Sequence, residues 1–273
     1  MQLSPIYGGD PILHIEGLGD PSAAVRRQSL RLLDTLRGLS ETQWAAPSRC
    51  ELWSVKDVIA HLASTNQFWA ISFAAGMRGE PTTFLATFDP VASPEQLVNS
   101  TRATPATEVL AKYEANVTAM LDAVGAICDW SVLAEAPPGH LAANATALHA
   151  LWDSWIHERD IAIPLGLPCV EDAEEVALIL SYAAALSPAF YAAKGTGQKG
   201  VLVVEATEPD VTLTVEVGDE VLVRAGVTGD GPRLRGRTVD LIEGLSHRAP
   251  LPNDLGADDR WLLVGLAEVF DVA

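Results

Sequence analysis

Cysteine is scarce in this chain: Cys50, Cys128 and Cys169 are scattered through 273 residues, with no Cys-x-x-Cys pair among them. That scatter excludes a disulfide framework and a cysteine-rich zinc site, and each thiol reads as a small buried apolar residue rather than a nucleophile. Basic residues are also few, 18 against 36 acidic ones, for a formal charge of −18. A field of that sign repels nucleic acid and anionic membrane, so neither is an expected partner. The densest basic stretch, Arg233, Arg235 and Arg237, reads as an exposed strand face. No uncharged apolar run is expected to be long enough to span a bilayer. Met1 to Gly19 shows neither a basic leader region nor a long apolar stretch, and the chain reads as soluble and cytoplasmic. No glycine-rich loop opens a helix and no Gly-x-Ser-x-Gly elbow is present, which disfavours nucleotide cofactors and serine-hydrolase chemistry.

What the chain does have is a 48% hydrophobic composition, enough for a substantial core. Apolar periodicity predicts helices from about Ser22 to Gly38, from Ser54 to about Met77, from Glu95 to Val124 with a break at Thr104-Pro105, from Ala142 to Ile163, and from Ala173 to Tyr191. Leu39 to Leu52 reads as a long connection, and Pro137-Pro138-Gly139 as a breaker. After Gly195 the pattern changes. Val201–Val204, Val211–Val215 and Val221–Val223 read as short strands, and Thr238–Leu245 and Trp261–Phe270 as helices. The expected architecture is therefore α+β: an irregular arm (1–19), a helical unit (20–194) and a small α+β unit (195–273).

Two histidine-bearing helical segments stand out. In the first, Ser54 and Asp57 form a capping pattern that starts a helix, and His61 lies beside its apolar stripe of Val55, Val58, Ile59 and Leu62. In the second, Asp153 and His157 are four apart and share a face, with His149 one turn earlier on it; Glu158 points elsewhere. A carboxylate and imidazole at this spacing are either a solvated helix pair or part of a cation site. If His61 faces them from a neighbouring helix, three ligands converge and a coordination position stays open. Asp160, three residues after His157, is either a surface acid or a partner that holds an imidazole tautomer.

The stretch Trp53-Ser54-Val55-Lys56-Asp57-Val58-Ile59-Ala60-His61-Leu62 resembles the signature of the DinB-like superfamily, and in particular its mycothiol-dependent maleylpyruvate isomerase branch. Leu39-Ser40 with Trp44, Cys50-Glu51-Leu52-Trp53 and His157-Glu158-Arg159-Asp160-Ile161 fit the same branch, and the segment Val239 to Arg248 resembles part of its smaller sterol-carrier-like domain. The resemblance implies a four-helix bundle that holds a divalent metal, commonly zinc, with His61, Asp153 and His157 as ligands. The branch is expected to carry glutamate where this chain has Asp153, whose carboxylate reaches about 1.5 Å less far; His149 could substitute for it. Arg248 fits a basic residue that the branch places close to the site. Its other reading is a helix-end arginine favoured by the macrodipole.

A thiol at an open zinc position is deprotonated near neutral pH without help from a protein cysteine. The resemblance thus implies a low-molecular-weight thiol such as mycothiol as cosubstrate and an electrophilic small molecule as its target, with isomerase or S-transferase outcomes. Two alternatives stand beside it. One is a metal-free small-molecule binding protein of the same fold. The other is a metal-dependent hydrolase, for which His149 is the best base. A homodimer is compatible with the sequence.

Overall fold

The computed structural model describes residues 3–253 and 255–270. Four long helices, α1 (Ser22–Arg37), α3 (Val55–Met77), α5 (Ala106–Gly125) and α6 (Ala143–Ala162), pack in a ring: α1 against α5 and α6, and α3 against the same two. The short helices α2 (Glu41–Trp44) and α4 (Ala92–Thr101) fill the connections on either side of α3. Ser54 starts α3 as expected. Its hydroxyl accepts from the Asp57 amide while the Asp57 carboxylate accepts from the Ser54 amide, so two otherwise orphaned donors are satisfied. Val55, Val58, Ile59 and Leu62 are all buried, each contributing roughly 1.5–3 kcal/mol. Helix α6 is buried on nearly every side, so its polar residues must find partners inside the protein.

The remaining strands form two sheets. The larger has the order β1-β6-β5-β4-β7, with β1 (Leu13–Ile15), β4 (Gly200–Thr207), β5 (Val211–Val217), β6 (Val221–Ala225) and β7 (Arg233–Arg237). β4, β5 and β6 form an antiparallel meander, and β1 and β7 pair parallel to β6 and β4. Helix α7 (Ala173–Ala193) lies against β5 and β6, while α8 (Thr238–Leu245) and α9 (Trp261–Phe270) pack onto α7.

Several expectations change. The arm 1–19 is not wholly irregular, because Leu13–Ile15 completes the sheet of the C-terminal half. Pro137-Pro138-Gly139 does not merely break a helix: it turns a hairpin of β2 (Leu133–Ala136) and β3 (Gly139–Ala142). Gly139 has φ +127°, and a Cβ there would lie 2.0 Å from the Ile6 carbonyl oxygen, so only glycine fits this close approach. The connection 39–52 contains α2, capped by Ser40 and Gln43. Helix α7 overturns the expectation that no run could span a bilayer, since it is long and apolar enough to do so; 67% of its most apolar window is buried within this fold, which accounts for its composition. Arg233, Arg235 and Arg237 do lie on a strand, but Glu205 pairs with the first two, and Glu208 and Glu171 with the third, so no free basic face results.

Candidate metal centre

His61 comes from the second turn of α3, and Asp153 and His157 come from one face of α6, which packs against α3. The imidazole rings of His61 and His157 meet edge to face with centroids 5.1 Å apart. Oδ1 of Asp153 lies 3.9 Å from His61 Nε2 and 3.6 Å from His157 Nε2. One donor atom from each residue thus lies within 4.8 Å of the others. Zinc bonded tetrahedrally at about 2.0–2.1 Å spaces its ligand atoms about 3.4 Å apart, so this nitrogen-and-oxygen set fits a divalent cation after small adjustments. The shorter reach of aspartate does not keep Asp153 from both histidines.

The electrostatics support the same grouping. Burial opposes ionisation of Asp153, but His61 and His157 outweigh it and hold the carboxyl well below the usual carboxylate range. Burial also pulls His157 down. Asp160, Cys50 and Asp153 more than offset this, and its pKa rises to about 10. Such a proton is the one a cation would displace. Asp160 is fully buried and not a surface acid: it accepts from His157 Nδ1 at 2.9 Å. Because an ionised carboxylate only accepts, Nδ1 is the donor and Nε2 is left toward Asp153.

The other expected residues take different places. Glu158 points away, as its position on the helix requires, and pairs with Arg31 and Gln28. His149 lies one turn before Asp153, buried among Trp69, Trp152 and Tyr182, with Nδ1 hydrogen-bonded to the Tyr182 hydroxyl at 2.5 Å. Burial pushes its pKa down to about 4 against the pull of Asp153. Arg248, just past the end of α8, donates to Asp160 behind His157 through Nε at 3.0 Å and Nη2 at 3.1 Å. Of the tryptophans, Trp155 is core, whereas Trp152 is half-buried and donates to Ser246.

Three contributors were not anticipated. Cys50 is half-buried rather than inert core, with Sγ 3.3 Å from Asp160 Oδ2 and 3.8 Å from His157 Nδ1; Cys169 is half-buried and Cys128 exposed. Arg49 donates to Asp160 and to Glu243, and Glu243 also accepts from Arg159. Arg49 and Cys50 lie a few residues before the Ser54 cap, beside the Cys50-Glu51-Leu52-Trp53 stretch, and that proximity was the available signal. Trp53 itself sits 5.2 Å from the His61 ring. Glu243 gave no signal beyond being an acid on an apolar helix.

A helical unit that brings two histidines and an aspartate together, followed by a sheet-bearing C-terminal half, defines a mixed α/β protein with a candidate metal-ligand group. Residues 25–162 match the family described as mycothiol maleylpyruvate isomerase N-terminal domain, and the chain belongs to that family. Among solved structures, it resembles the mycothiol-dependent maleylpyruvate isomerase with a TM-score of 0.59 at 18% identity, covering 85% of this chain and 90% of that one. A histidine-to-alanine mutant of that enzyme gives 0.60 at 16% identity with the same coverage. These likenesses establish a shared mixed α/β fold. No protein of curated function matches the sequence.

Proposed function

We propose that this protein is a metal-dependent enzyme that activates a low-molecular-weight thiol of the mycothiol type against an electrophilic small molecule. Isomerisation of a double bond, as in maleylpyruvate isomerase, is the favoured outcome, and S-transfer is the other. The observation that carries this reading is the convergence of His61 Nε2, Asp153 Oδ1 and His157 Nε2. These three residues would hold the cation, with zinc the best match to two imidazoles and one carboxylate. When bound, it supplies the positive charge that keeps an incoming thiol deprotonated near neutral pH.

The chain's own residues do the rest. Asp160 fixes the Nδ1–H of His157, so Nε2 faces the centre. Arg248, part-buried and bonded to Asp160, is a cation able to orient an acidic group of the substrate. The aromatic shell over His149 keeps water from that imidazole, which favours thiol chemistry over a hydrolase. In this reading 20–194 is a DinB-like four-helix bundle that carries the centre. The unit 195–273, sterol-carrier-like and joined by β1 from the arm, closes over it through α8.

The test is direct. Purified protein is assayed for zinc content and for thermal stabilisation by mycothiol with and without zinc. It is then given maleylpyruvate as a probe of isomerisation and an alkyl halide as a probe of S-transfer. About one zinc per chain and mycothiol stabilisation that needs it support the reading. Mycothiol stabilisation without zinc, or none at all, overturns it.

A further inference from the structure

Asp160 has no exposed side-chain surface, and its carboxylate is held from two sides. Oδ1 accepts from Arg49 Nε at 3.0 Å and Arg248 Nε at 3.0 Å; Oδ2 accepts from His157 Nδ1 at 2.9 Å and Arg248 Nη2 at 3.1 Å. The Arg49 amide also donates to the Asp160 carbonyl at 3.0 Å. The carboxylate plane cannot turn away from His157 without giving up its bonds to the arginines. Arg49, in turn, has four soft torsions and would not stay in place alone. Its two terminal nitrogens are held by Glu243, at 2.6 Å and 3.1 Å, and Glu243 is itself fixed by Arg159 at 2.5 Å. A chain of contacts therefore runs from α8 in the C-terminal half, through Glu243 and Arg49, to the acid behind His157.

We propose that Glu243 and Arg49 are positioning residues for His157: they fix Asp160 so that its carboxylate aims the imidazole at Asp153 and His61, and the C-terminal half thereby sets the cation affinity of a centre whose ligands all lie in the bundle. The affinity part of this rests on the metal-centre reading; the imidazole-orienting part does not. A purely structural network would also tie α8 to α6, so the test needs a control of equal burial. Glu175 supplies it: its side chain is fully buried and bonded to Arg31 at 2.8 Å, in a network with Glu158 that contains neither Asp160 nor any of the three candidate ligands.

Two readouts are taken on Glu243→Gln, Arg49→Lys and Glu175→Gln. The first is zinc affinity, measured by competition with a chromophoric chelator. Glu243→Gln and Arg49→Lys are expected to weaken it about 10- to 100-fold, the range for outer partners of metal ligands, with Glu243→Asp recovering part of the loss. Glu175→Gln lowers the melting temperature and leaves zinc affinity unchanged. The second is the solvent exchange of the His157 Nδ1–H proton in nitrogen-15 spectra of the zinc-free protein. Exchange should quicken at least about ten-fold in the first two variants and not in Glu175→Gln, because loss of the fixed acceptor frees that proton. Should Glu243→Gln not fold, Arg49→Lys carries both measurements. Unchanged affinity and unchanged exchange in the Glu243 and Arg49 variants overturn the proposal, as does an equal loss in Glu175→Gln. If the wild-type protein binds no zinc, the catalytic reading fails by itself, and the proton exchange still decides the positioning role.

Discussion

Nδ1 of His157 stands 2.9 Å from Oδ2 of Asp160, and that contact selects which imidazole nitrogen faces Asp153. The two residues are three apart on α6, so the helix itself sets the pairing. One turn of helix thus supplies both a candidate ligand and the group that aims it.

The ligand set is separable from its neighbours by substitution. Alanine at His61, Asp153 or His157 should lower zinc affinity by more than the ~10- to 100-fold loss expected for an outer partner. Glu158→Gln should retain zinc, because that carboxylate faces Arg31, and should lower stability only modestly, by about 1–3 kcal/mol, because Arg31 keeps its pair with Glu175. Elemental analysis and denaturant melts read the two effects. Zinc loss in Glu158→Gln with retention in Asp153→Ala would reverse the face assignment.

Arg248 should behave differently from the ligands. Arg248→Gln removes a guanidinium that bonds Asp160, yet Arg49 keeps its own bond to the same acid. Zinc affinity should fall about as far as in Arg49→Lys, and at saturating zinc the site should still fill. Loss of one charged hydrogen bond to substrate, about 1.5–3 kcal/mol, should lower kcat/KM about 10- to 100-fold. A variant with full kcat/KM shows that Arg248 braces Asp160 and does not meet the substrate.

Stability of the zinc-free protein should peak near pH 6.5. His149 has its folded pKa lowered from 6.5 to about 4, first by burial, so its contribution is complete above pH 6.5 and is lost as pH falls toward 4, by about 3 kcal/mol. His157 has its folded pKa raised to about 10, so its contribution is complete below pH 6.5 and fades as pH rises through 10. Asp153 and Asp160, both lowered, add further loss only below the ordinary carboxylate range, near pH 3.8. Zinc should flatten the alkaline limb, because binding uses the deprotonated imidazole. Urea melts from pH 4 to 10 with and without chelator check this; an alkaline limb unaffected by zinc would count against His157 as a ligand.

Helix α9 is seated on α7 through a glycine. A Cβ on Gly265 would lie 2.2 Å from the Ser187 carbonyl oxygen, a backbone atom with no room to yield. Gly265→Ala should therefore push the helices apart and cost about 1–3 kcal/mol, read as a lower melting temperature. Gly125→Ala, with nothing within 4 Å of the added methyl, is the neutral comparison.

Long helices were legible from sequence: α1 and α3 through an apolar stripe, α6 and α7 through long apolar stretches bounded by breakers, and all four begin within a residue or two of their expected positions. So was the pairing of Asp153 with His157, which follows from helical spacing. The approach of His61 came from resemblance, since nothing in local pattern says which helix lies beside which. β1 left no trace because a three-residue strand has too little alternation to register, and its partner lies some two hundred residues away. The hairpin at Gly139 was hidden because the same prolines that end helices also turn strands. The surroundings of Asp160 were least legible. Arg49 and Cys50 are neighbours in sequence, but they meet Asp160 and Glu243 only in three dimensions, and each is an ordinary residue in its own stretch.

The pairing of Leu13–Ile15 with Val221–Val223 ties the earliest part of the chain to one of its latest strands. A fragment cut at residue 195 would present β6 with an unmatched row of amides and carbonyls, an invitation to self-association. The opening residues cannot be removed without baring an edge of the C-terminal sheet, so deletion of 1–19 should be felt first as aggregation rather than as altered chemistry.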